Sequence, residues 1–403
     1  MNVAQYLANK IRKAPKASFS YTVIRVGTGS IALGISILII SYSVLYGFKN
    51  TIQEKLFSLS AHIQVSKITL NQSFDETPLV INSTLDPILK TNKDWIAVMA
   101  ITHKAAILKS PHDIAGVLLK GIDTSFTKTN FGKNLLEGRM NDPKKELEIV
   151  ISKQLAEKLN IKLGQKTSLF FVQQPPRARK VEVVGIYQTG LEEYDHQLVF
   201  ASSKLIHRIN LWSENQVGHL EILVSDISKI PEVKAHLLKA LPPYLQVQSI
   251  QDRVPSYFDW FMLLDRNILI VIVLIVVVAS FNMISVLLIL IMERTTLIGM
   301  LKTLGMTNPS IHKIFMTNAF RMILRGTLWG NLVGLGICWI QATWKIIPLD
   351  PTNYYMSYVP ISWTWGWYVA INLVMILLVT LVIWLPTIWV VRIRPMEALK
   401  LKR

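Results

Sequence analysis

Four long apolar runs separate polar stretches along the chain, and their spacing predicts its architecture. The runs cover residues 23–48, 266–292, 314–344 and 361–391. At about 1.5 Å per residue, each can cross the ~30 Å hydrocarbon layer of a bilayer as a helix. The first run is too long for the apolar part of a signal peptide, and no small-residue cleavage site closes it, so we interpret it as a retained anchor. We therefore predict four transmembrane helices.

A different pattern fills residues 49–265, between the first and second apolar runs. Apolar and polar residues alternate in HIQVSKI, TSLFFV, KVEVVGIY, QLVFAS and GHLEILVSD, and this period predicts strands. A helix is expected after Ser152 as N-cap, with Gly164 as its stop, and another over residues 231–241. The predicted fold is thus a polytopic α-helical membrane protein with four transmembrane helices, which carries a large extracytoplasmic α+β domain between helices 1 and 2.

Basic residues give this topology an orientation. The chain has a formal net charge of +17, and Lys and Arg concentrate in residues 1–22, 293–313 and 392–403. Because positive loops stay in the cytoplasm, we expect both termini and the connection 293–313 to be cytoplasmic, whereas the loop 345–360 lies outside. Membrane flanks thus account for much of the charge, and we expect no nucleic-acid partner. Cys338 is the single cysteine, which excludes an intramolecular disulfide.

Motifs of catalysis are missing from the sequence. It has no phosphate-binding G-x-x-x-x-G-K-[ST], no G-x-S-x-G and no H-E-x-x-H, and its eight histidines are scattered. Glu192, Glu193 and Asp195 are interpreted as a solvated turn rather than acid/base machinery. We therefore expect no catalytic residues, no metal site and no cofactor of its own, so that any energy-driven work needs a partner.

Two features predict contacts with other chains or helices. The connection QQPPRAR between two predicted strands holds Pro175, Pro176, Arg177 and Arg179, which would form either a rigid basic docking tip or a solvated turn protected by proline and charge. In the third span, small residues recur every fourth position and let another helix approach closely; they are Gly326, Gly330 and Gly334.

A short amphipathic segment, ERTTLIGMLKTLGMT, follows the second span directly. Its apolar residues are predicted to share one side of a helix; they are Leu297, Ile298, Met300, Leu301 and Leu304. From composition alone, the segment is either a docking helix or a loop lying in the headgroup layer.

This segment resembles the E-R-T-x-x-I-G-x-L-x-x-L-G coupling segment of the FtsX/MacB-type (type VII) ABC permeases. The C-terminal RIRPMEALKLKR is similar to the closing element of the same group at Pro395, Glu397, Ala398 and Leu399. Narrower matches, in the first span, in GIYQTGLEEYDHQLVFAS and in LDPTNYYMSYVP, resemble the lipoprotein-releasing permease (LolC/LolE) family.

The resemblance implies a non-catalytic permease subunit in the bacterial inner membrane. Such a subunit extracts lipoproteins from the outer leaflet and passes them to a periplasmic carrier. It works with two copies of a cytoplasmic ABC ATPase, which binds the ATP, with a second permease subunit, same or homologous, and with membrane lipid. By resemblance, the ATPase-coupling residues are Glu293, Arg294, Gly299, Lys302 and Gly305, and by analogy the hairpin with Pro175, Pro176, Arg177 and Arg179 docks the carrier.

Two alternatives to lipoprotein release stay open. The first is an FtsX/MacB-like permease for efflux or cell-division signalling, whose exported domain would meet a different partner. The second is a membrane-anchored binding protein without a transport role.

Overall fold

The computed structural model describes residues 19–69, 76–82, 85–90, 94–111, 113–293 and 295–391. The chain divides into a membrane unit, made of residues up to Asn50, Phe261–Pro348 and the chain from Tyr358 on, and a soluble unit, made of Thr51–Trp260 and Leu349–Ser357. Most of the predicted segment 1–22, Arg294 and the tail 392–403, with its resemblance at Pro395, Glu397, Ala398 and Leu399, lie outside the described residues.

The helices and strands follow in chain order. They are α1 (Phe19–Leu59), β1 (Ile63–Lys67), β2 (Leu79–Val80), α2 (Leu85–Lys90), β3 (Trp95–Lys109), β4 (Ile114–Ile122), β5 (Leu135–Gly138), β6 (Glu148–Ser152), α3 (Lys153–Leu159), β7 (Lys166–Phe171), β8 (Arg177–Tyr187), α4 (Glu192–Asp195), β9 (Leu198–Ser202), α5 (Ser203–Asn210), β10 (Gln216–Val217), β11 (His219–Val224), α6 (Ile230–Ala240), β12 (Leu245–Ser249), α7 (Ile250–Arg253), α8 (Pro255–Glu293), α9 (Thr295–Thr303), α10 (Asn308–Trp344), α11 (Pro351–Tyr354) and α12 (Trp365–Val391).

The membrane unit is built from long apolar helices. Within the described residues, four helices are long and apolar enough to cross a membrane, with spans at Tyr21–Leu59, Pro255–Glu293, Asn308–Trp344 and Trp365–Val382. Their shared core contains Ile35, Ile39, Met283, Ile323 and Val379, each almost fully buried. The predicted fold class, four transmembrane helices with an α+β domain between the first and the second, is confirmed.

A mixed sheet organises the soluble unit. Its strands lie in the order β12-β1-β11-β3-β4-β9-β6-β8-β5, and β7 pairs with both β3 and β8. The β4–β9 and β6–β8 pairs are parallel, and the other pairs of this sheet are antiparallel. Two apolar cores follow: α3 and α5 cover one part of the sheet, and α6 covers the part formed by β1, β11 and β12.

Local sequence explains the ends of these elements. All five predicted strands are present, and Ser152 caps α3 by accepting from the backbone N–H of Leu155. The predicted stop of that helix was wrong, however. The helix ends at Leu159 because Asn160 adopts the left-handed conformation (φ 49°), whereas Gly164 (φ 78°) lies in the following turn.

The acidic cluster near Glu192 also departs from the sequence interpretation. Glu192 and Glu193 are exposed as expected, but Asp195 is buried and accepts hydrogen bonds from the N–H groups of Thr189 and Gly190. Burial raises the pKa of Asp195, against the effect of these hydrogen bonds. The carboxylate therefore folds the loop before α4 instead of facing water.

The segment Leu349–Ser357 connects two membrane helices in sequence, yet it belongs to the soluble unit. The ammonium of Lys55 donates to the carbonyl oxygens of both Thr189 and Tyr355. The ring of Tyr355 also meets that of Tyr257 edge-on, with centroids 6.3 Å apart. Lys55 thus ties this segment to the loop before α4.

Candidate functional site

The small residues of α10 face α1 at very short range. A Cβ added at Gly326 would lie 2.7 Å from the Cβ of Ile31, and one at Gly330 would lie 2.7 Å from the carbonyl oxygen of Ala32. At Gly334 the nearest atom of α1 would be 3.1 Å away. Since a Cβ does not approach other atoms to less than 3.0 Å, Gly326 and Gly330 leave no room for a larger residue, whereas a Cβ at Gly334 would require its neighbours to move by a few tenths of an ångström.

Polar side chains add directional contacts between the membrane helices. Ser36 of α1 donates from Oγ to the carbonyl oxygen of Gly330 at 3.1 Å, and the hydroxyls of Ser43 and Tyr368 lie 2.8 Å apart. Asn331 and Asn372 donate to each other's side-chain oxygens at 2.8 and 2.9 Å, which joins α10 to α12. This pair was not predictable, because nothing in the sequence places one asparagine opposite the other.

A cavity of about 340 Å³ lies between α1 and α8 and reaches Ile371 of α12. Its walls are mostly aliphatic, with Ser41 and Asn267 among the few polar residues; the lining comprises Leu38, Ile40, Ser41, Tyr42, Val44, Leu45, Asn267, Ile268, Val271, Ile272 and Ile371. An apolar cavity among membrane helices can hold hydrocarbon, whereas it offers few partners to a polar ligand.

The segment after the second span forms the helix α9, and its end explains one glycine. Gly305 has a φ of 87°, which favours a residue without a Cβ. Its N–H donates to the carbonyl oxygen of Lys302 at 3.0 Å, and the N–H of Met306 donates to that of Leu301 at 2.9 Å. These two bonds form a Schellman motif, so Gly305 fixes where α9 stops.

The apolar residues predicted to share one side of α9 differ in their exposure. Ile298 is buried in a cluster with Ile291 and Phe315, because the helix folds back between α8 and α10. Met300 and Leu304 are 51% and 83% exposed. The remaining residues predicted for coupling lie close by: Gly299 is buried, Lys302 is partly buried, and Glu293 is exposed at the end of α8.

The proline hairpin is shorter than the sequence suggested. Its connection spans residues 172–176, with Pro175 and Pro176 exposed, while Arg177 and Arg179 lie in β8, paired with Phe171 and Leu169 of β7. The two arginines were therefore placed wrongly in the connection. Pro175 and Pro176 both precede Arg177, where no N–H is needed for strand pairing, so the pairing of β8 with β7 extends to Arg177.

Arg177 has a structural partner within the soluble unit. Its guanidinium donates to the carbonyl oxygens of Arg208 and Ile209, at 3.1 and 2.9 Å, at the end of α5. A cation there complements the free carbonyl groups of a helix C-terminus. Beside it, Val172 leaves 77% of its surface exposed. The hairpin thus presents an apolar tip on an anchored strand.

A buried group of charges lies on one face of the sheet. Lys120 donates to Glu221 at 2.7 Å, and both residues are almost completely buried. Burial alone would raise the pKa of Glu221, but the Lys120 ammonium holds it well below its usual range. His219 and His103 belong to the same face, with ring centroids 4.9 Å apart. Two of the eight scattered histidines therefore meet in space, which only the strand register reveals.

Comparisons with known proteins cover both units. Residues 28–240, more than half of the chain, match the family described as MacB-like periplasmic core domain, and residues 269–395 match the FtsX-like permease C-terminal family.

Curated relatives extend the likeness to most of the chain. One, from Neisseria meningitidis serogroup B, is named lipoprotein-releasing system transmembrane protein LolC; it is 26% identical, over 82% of this chain and 80% of the relative. A LolC of Xylella fastidiosa is 23% identical over 92% of each chain. A LolE of Haemophilus influenzae is 21% identical over 83% of this chain and 84% of the relative.

Proposed function

The chain belongs to the MacB-like periplasmic core family, and we propose that it is the permease subunit of an ABC transporter that extracts lipoproteins from the inner membrane and passes them to a periplasmic carrier. The observation that carries the proposal is the similarity to LolC and LolE, which extends through the soluble unit and the membrane helices alike. The chain is an inner-membrane protein with a periplasmic domain.

Physical chemistry explains why such a subunit needs a partner. A triacylated lipoprotein buries dozens of CH₂ groups at ~0.8 kcal/mol each, on the order of 30 kcal/mol in total, so that spontaneous release is negligible. The cavity between α1 and α8 offers an acyl chain an apolar surface among the membrane helices. We propose that a cytoplasmic ABC ATPase, present in two copies, supplies the energy for extraction. Another permease subunit, same or homologous, would form the second half of the lipid path.

We assign the ATPase contact to α9. Both termini would then be cytoplasmic, as the distribution of basic residues predicts. Met300 of α9 and Leu304, the first residue after α9, form an exposed apolar pair, and Ile298 packs α9 against its neighbours, so a force on this pair would reach α8 and α10. Glu293 and Lys302 would add charged contacts, and Arg294 is assigned by resemblance alone.

We assign carrier docking to the hairpin tip. Val172, Pro175 and Pro176 are exposed there, and proline limits the entropy that docking would cost. Arg177, held by the end of α5, would keep the tip in place, whereas Arg179 lies on the strand beside it.

Depletion of the protein tests the proposal. We expect outer-membrane lipoproteins to accumulate in the inner membrane, as measured by membrane fractionation and immunoblotting, and we expect re-expression to reverse this. Normal lipoprotein sorting, together with a defect in efflux or in division, would instead support one of the other permeases of this group. Normal sorting without any transport defect would support a membrane-anchored binding protein.

Two variants separate the proposed interfaces. The double substitution Met300→Glu and Leu304→Glu should abolish copurification of the ATPase but leave crosslinking to the carrier intact. Val172→Glu should have the reverse effect, so each variant is the control of the other. Loss of both partners in both variants would point to misfolding, which a thermal unfolding measurement would detect.

A further inference from the structure

Strand pairing brings two histidines of the soluble unit together. His219, the first residue of β11, pairs with Ile101 of β3. His103 follows Ile101 by two residues, so its side chain leaves the same face of the sheet. The rings lie 4.9 Å apart between centroids. His219 is fully buried, whereas the side chain of His103 is 24% exposed. This position therefore has an opening to solvent on the His103 side.

A carboxylate completes the group. One oxygen of Glu76, Oε1, lies 2.6 Å from Nδ1 of His219 and 3.3 Å from Nδ1 of His103. The other oxygen, Oε2, accepts from the backbone N–H of His103 at 2.7 Å. Gly218 makes room for it, because a Cβ there would lie only 1.7 Å from Oε2. The sheet is thus shaped to admit this carboxylate between the two imidazoles.

The charges around Glu76 leave this carboxylate without a permanently charged cationic partner among the described residues. Glu221 is the other buried carboxylate on this face, and its two oxygens accept hydrogen bonds from the ammonium of Lys120 at 2.7 and 2.9 Å. Among the residues that the structure describes, Glu76 has the two imidazoles and a backbone N–H as its contacts. A largely buried carboxylate requires a compensating positive charge, which here is either a proton on histidine or a bound metal ion.

We propose that Glu76, His103 and His219 bind a divalent transition-metal ion, Zn²⁺ being the best match. Their ligand atoms all lie within 4.8 Å of one another. Two imidazoles and one carboxylate form a common zinc ligand set that leaves a fourth position for water. At metal–ligand distances of about 2.0–2.2 Å, tetrahedral ligand atoms are roughly 3.3 Å apart. Glu76 and His103 already have this spacing, while the Glu76–His219 contact would lengthen as the metal replaces a proton.

The surroundings of His219 support metal binding through Nδ1. Its other nitrogen, Nε2, lies 3.5 Å from Oε1 of Glu221 and has no hydrogen bond of normal geometry. When Nδ1 binds a metal, Nε2 must carry the proton, and a carboxylate beside it fixes that tautomer. Glu221 is held in place by Lys120 and by the backbone N–H of Ala61. Metal-bound histidines commonly have such a carboxylate partner.

Zinc binding by the full-length protein in detergent micelles tests the proposal. The protein is first stripped with a chelator and then titrated with Zn²⁺ against a chromophoric competitor; bound metal is measured by mass spectrometry. We expect one tightly bound Zn²⁺ per chain. His103→Gln and Glu76→Gln should each weaken binding at least tenfold, and so should Gly218→Ala, which keeps every ligand but displaces the carboxylate. His236→Gln, at an exposed position of α6, is the matched control and should bind normally.

A spectroscopic readout keeps the test independent of folding defects. Co²⁺ in place of Zn²⁺ should give the intense visible absorption of a tetrahedral site in the unchanged protein and in His236→Gln, but not in His103→Gln. Variants enter the comparison only if their thermal unfolding is cooperative. Absence of bound metal in the unchanged protein, or equal binding by His103→Gln, Glu76→Gln and His236→Gln, would overturn the proposal. Neither result bears on lipoprotein release.

Discussion

Replacing Gly330 with alanine should destabilise the membrane unit, and the same substitution at Gly336 should not. Both glycines lie in α10. A Cβ at Gly330 would lie 2.7 Å from the carbonyl oxygen of Ala32 and 2.8 Å from the Cβ of Ile35, whereas a Cβ at Gly336 would have no neighbour within 4 Å. The pair therefore isolates the steric term from the intrinsic effect of the substitution.

The expected magnitudes follow from two opposing terms. Glycine to alanine in a helix gains up to about 1 kcal/mol. Overpacking a close interface costs about 1–3 kcal/mol, and separation of the helices would also weaken the bond from Ser36 to the carbonyl of Gly330, at about 0.6 kcal/mol. We thus expect Gly336→Ala to be neutral or stabilising. Gly330→Ala should be less stable than Gly336→Ala by about 1–3 kcal/mol.

Unfolding in detergent micelles provides the measurement. Both variants are titrated with denaturant and followed by tryptophan fluorescence, since eight of the eleven tryptophans belong to the membrane unit, and the two free energies of unfolding are subtracted. Equal values for Gly330→Ala and Gly336→Ala would refute the reasoning, since they would mean that α1 and α10 do not meet at the distance described. Gly326→Ala should behave like Gly330→Ala, because its Cβ would come equally close to Ile31.

Three further predictions concern other parts of the chain. His62 is buried and accepts from the N–H of Val224, and burial lowers its pKa to about 4 from 6.5. Between pH 6.5 and pH 4, His62 is therefore protonated in the unfolded chain but neutral in the folded chain. The free energy of unfolding should fall by about 3 kcal/mol as the pH drops from 6.5 to 4. His62→Asn should reduce this loss in denaturant titrations at several pH values. Gly305→Val should strain the left-handed end of α9 by about 1–3 kcal/mol and lower ATP-driven release while ATP hydrolysis continues, and unchanged release in vesicles would contradict it. Asn331→Leu should destabilise by about 1 kcal/mol by leaving the side-chain oxygen of Asn372 without its donor, and the double variant with Asn372→Leu should recover most of this loss in a thermal unfolding cycle.

Elements whose structure depends on the pattern of a single segment could be predicted from the sequence. The four spans, the strands with period two and the Ser152 cap depend on neighbours in the chain, and all were predictable. The ends of elements were less predictable, since Asn160 adopted the left-handed conformation before the glycine that usually supplies it. Likewise, Arg177 was predicted in the connection but belongs to β8, because it pairs with Phe171 of β7.

Sites formed by residues that lie far apart in the chain could not be predicted from the sequence. Asp195 is buried because Thr189 and Gly190 offer it N–H groups, although its acidic neighbours suggested a solvated turn. His103 and His219 meet through the register of β3 and β11, which no motif encodes. Such contacts require knowledge of strand order. The roles assigned to Gly299 and to the hairpin tip stay predictions for the experiments described above.

The tie between Lys55 and Tyr355 has a practical consequence for protein engineering. A soluble fragment cut from the chain at Thr51 and Trp260 would lack Leu349–Ser357, so the Lys55 ammonium would keep the Thr189 carbonyl but lose that of Tyr355. The ring of Tyr257 would lose its neighbour as well. Fusing the missing segment to the fragment through a flexible linker should restore both contacts and yield a more stable soluble domain for binding studies.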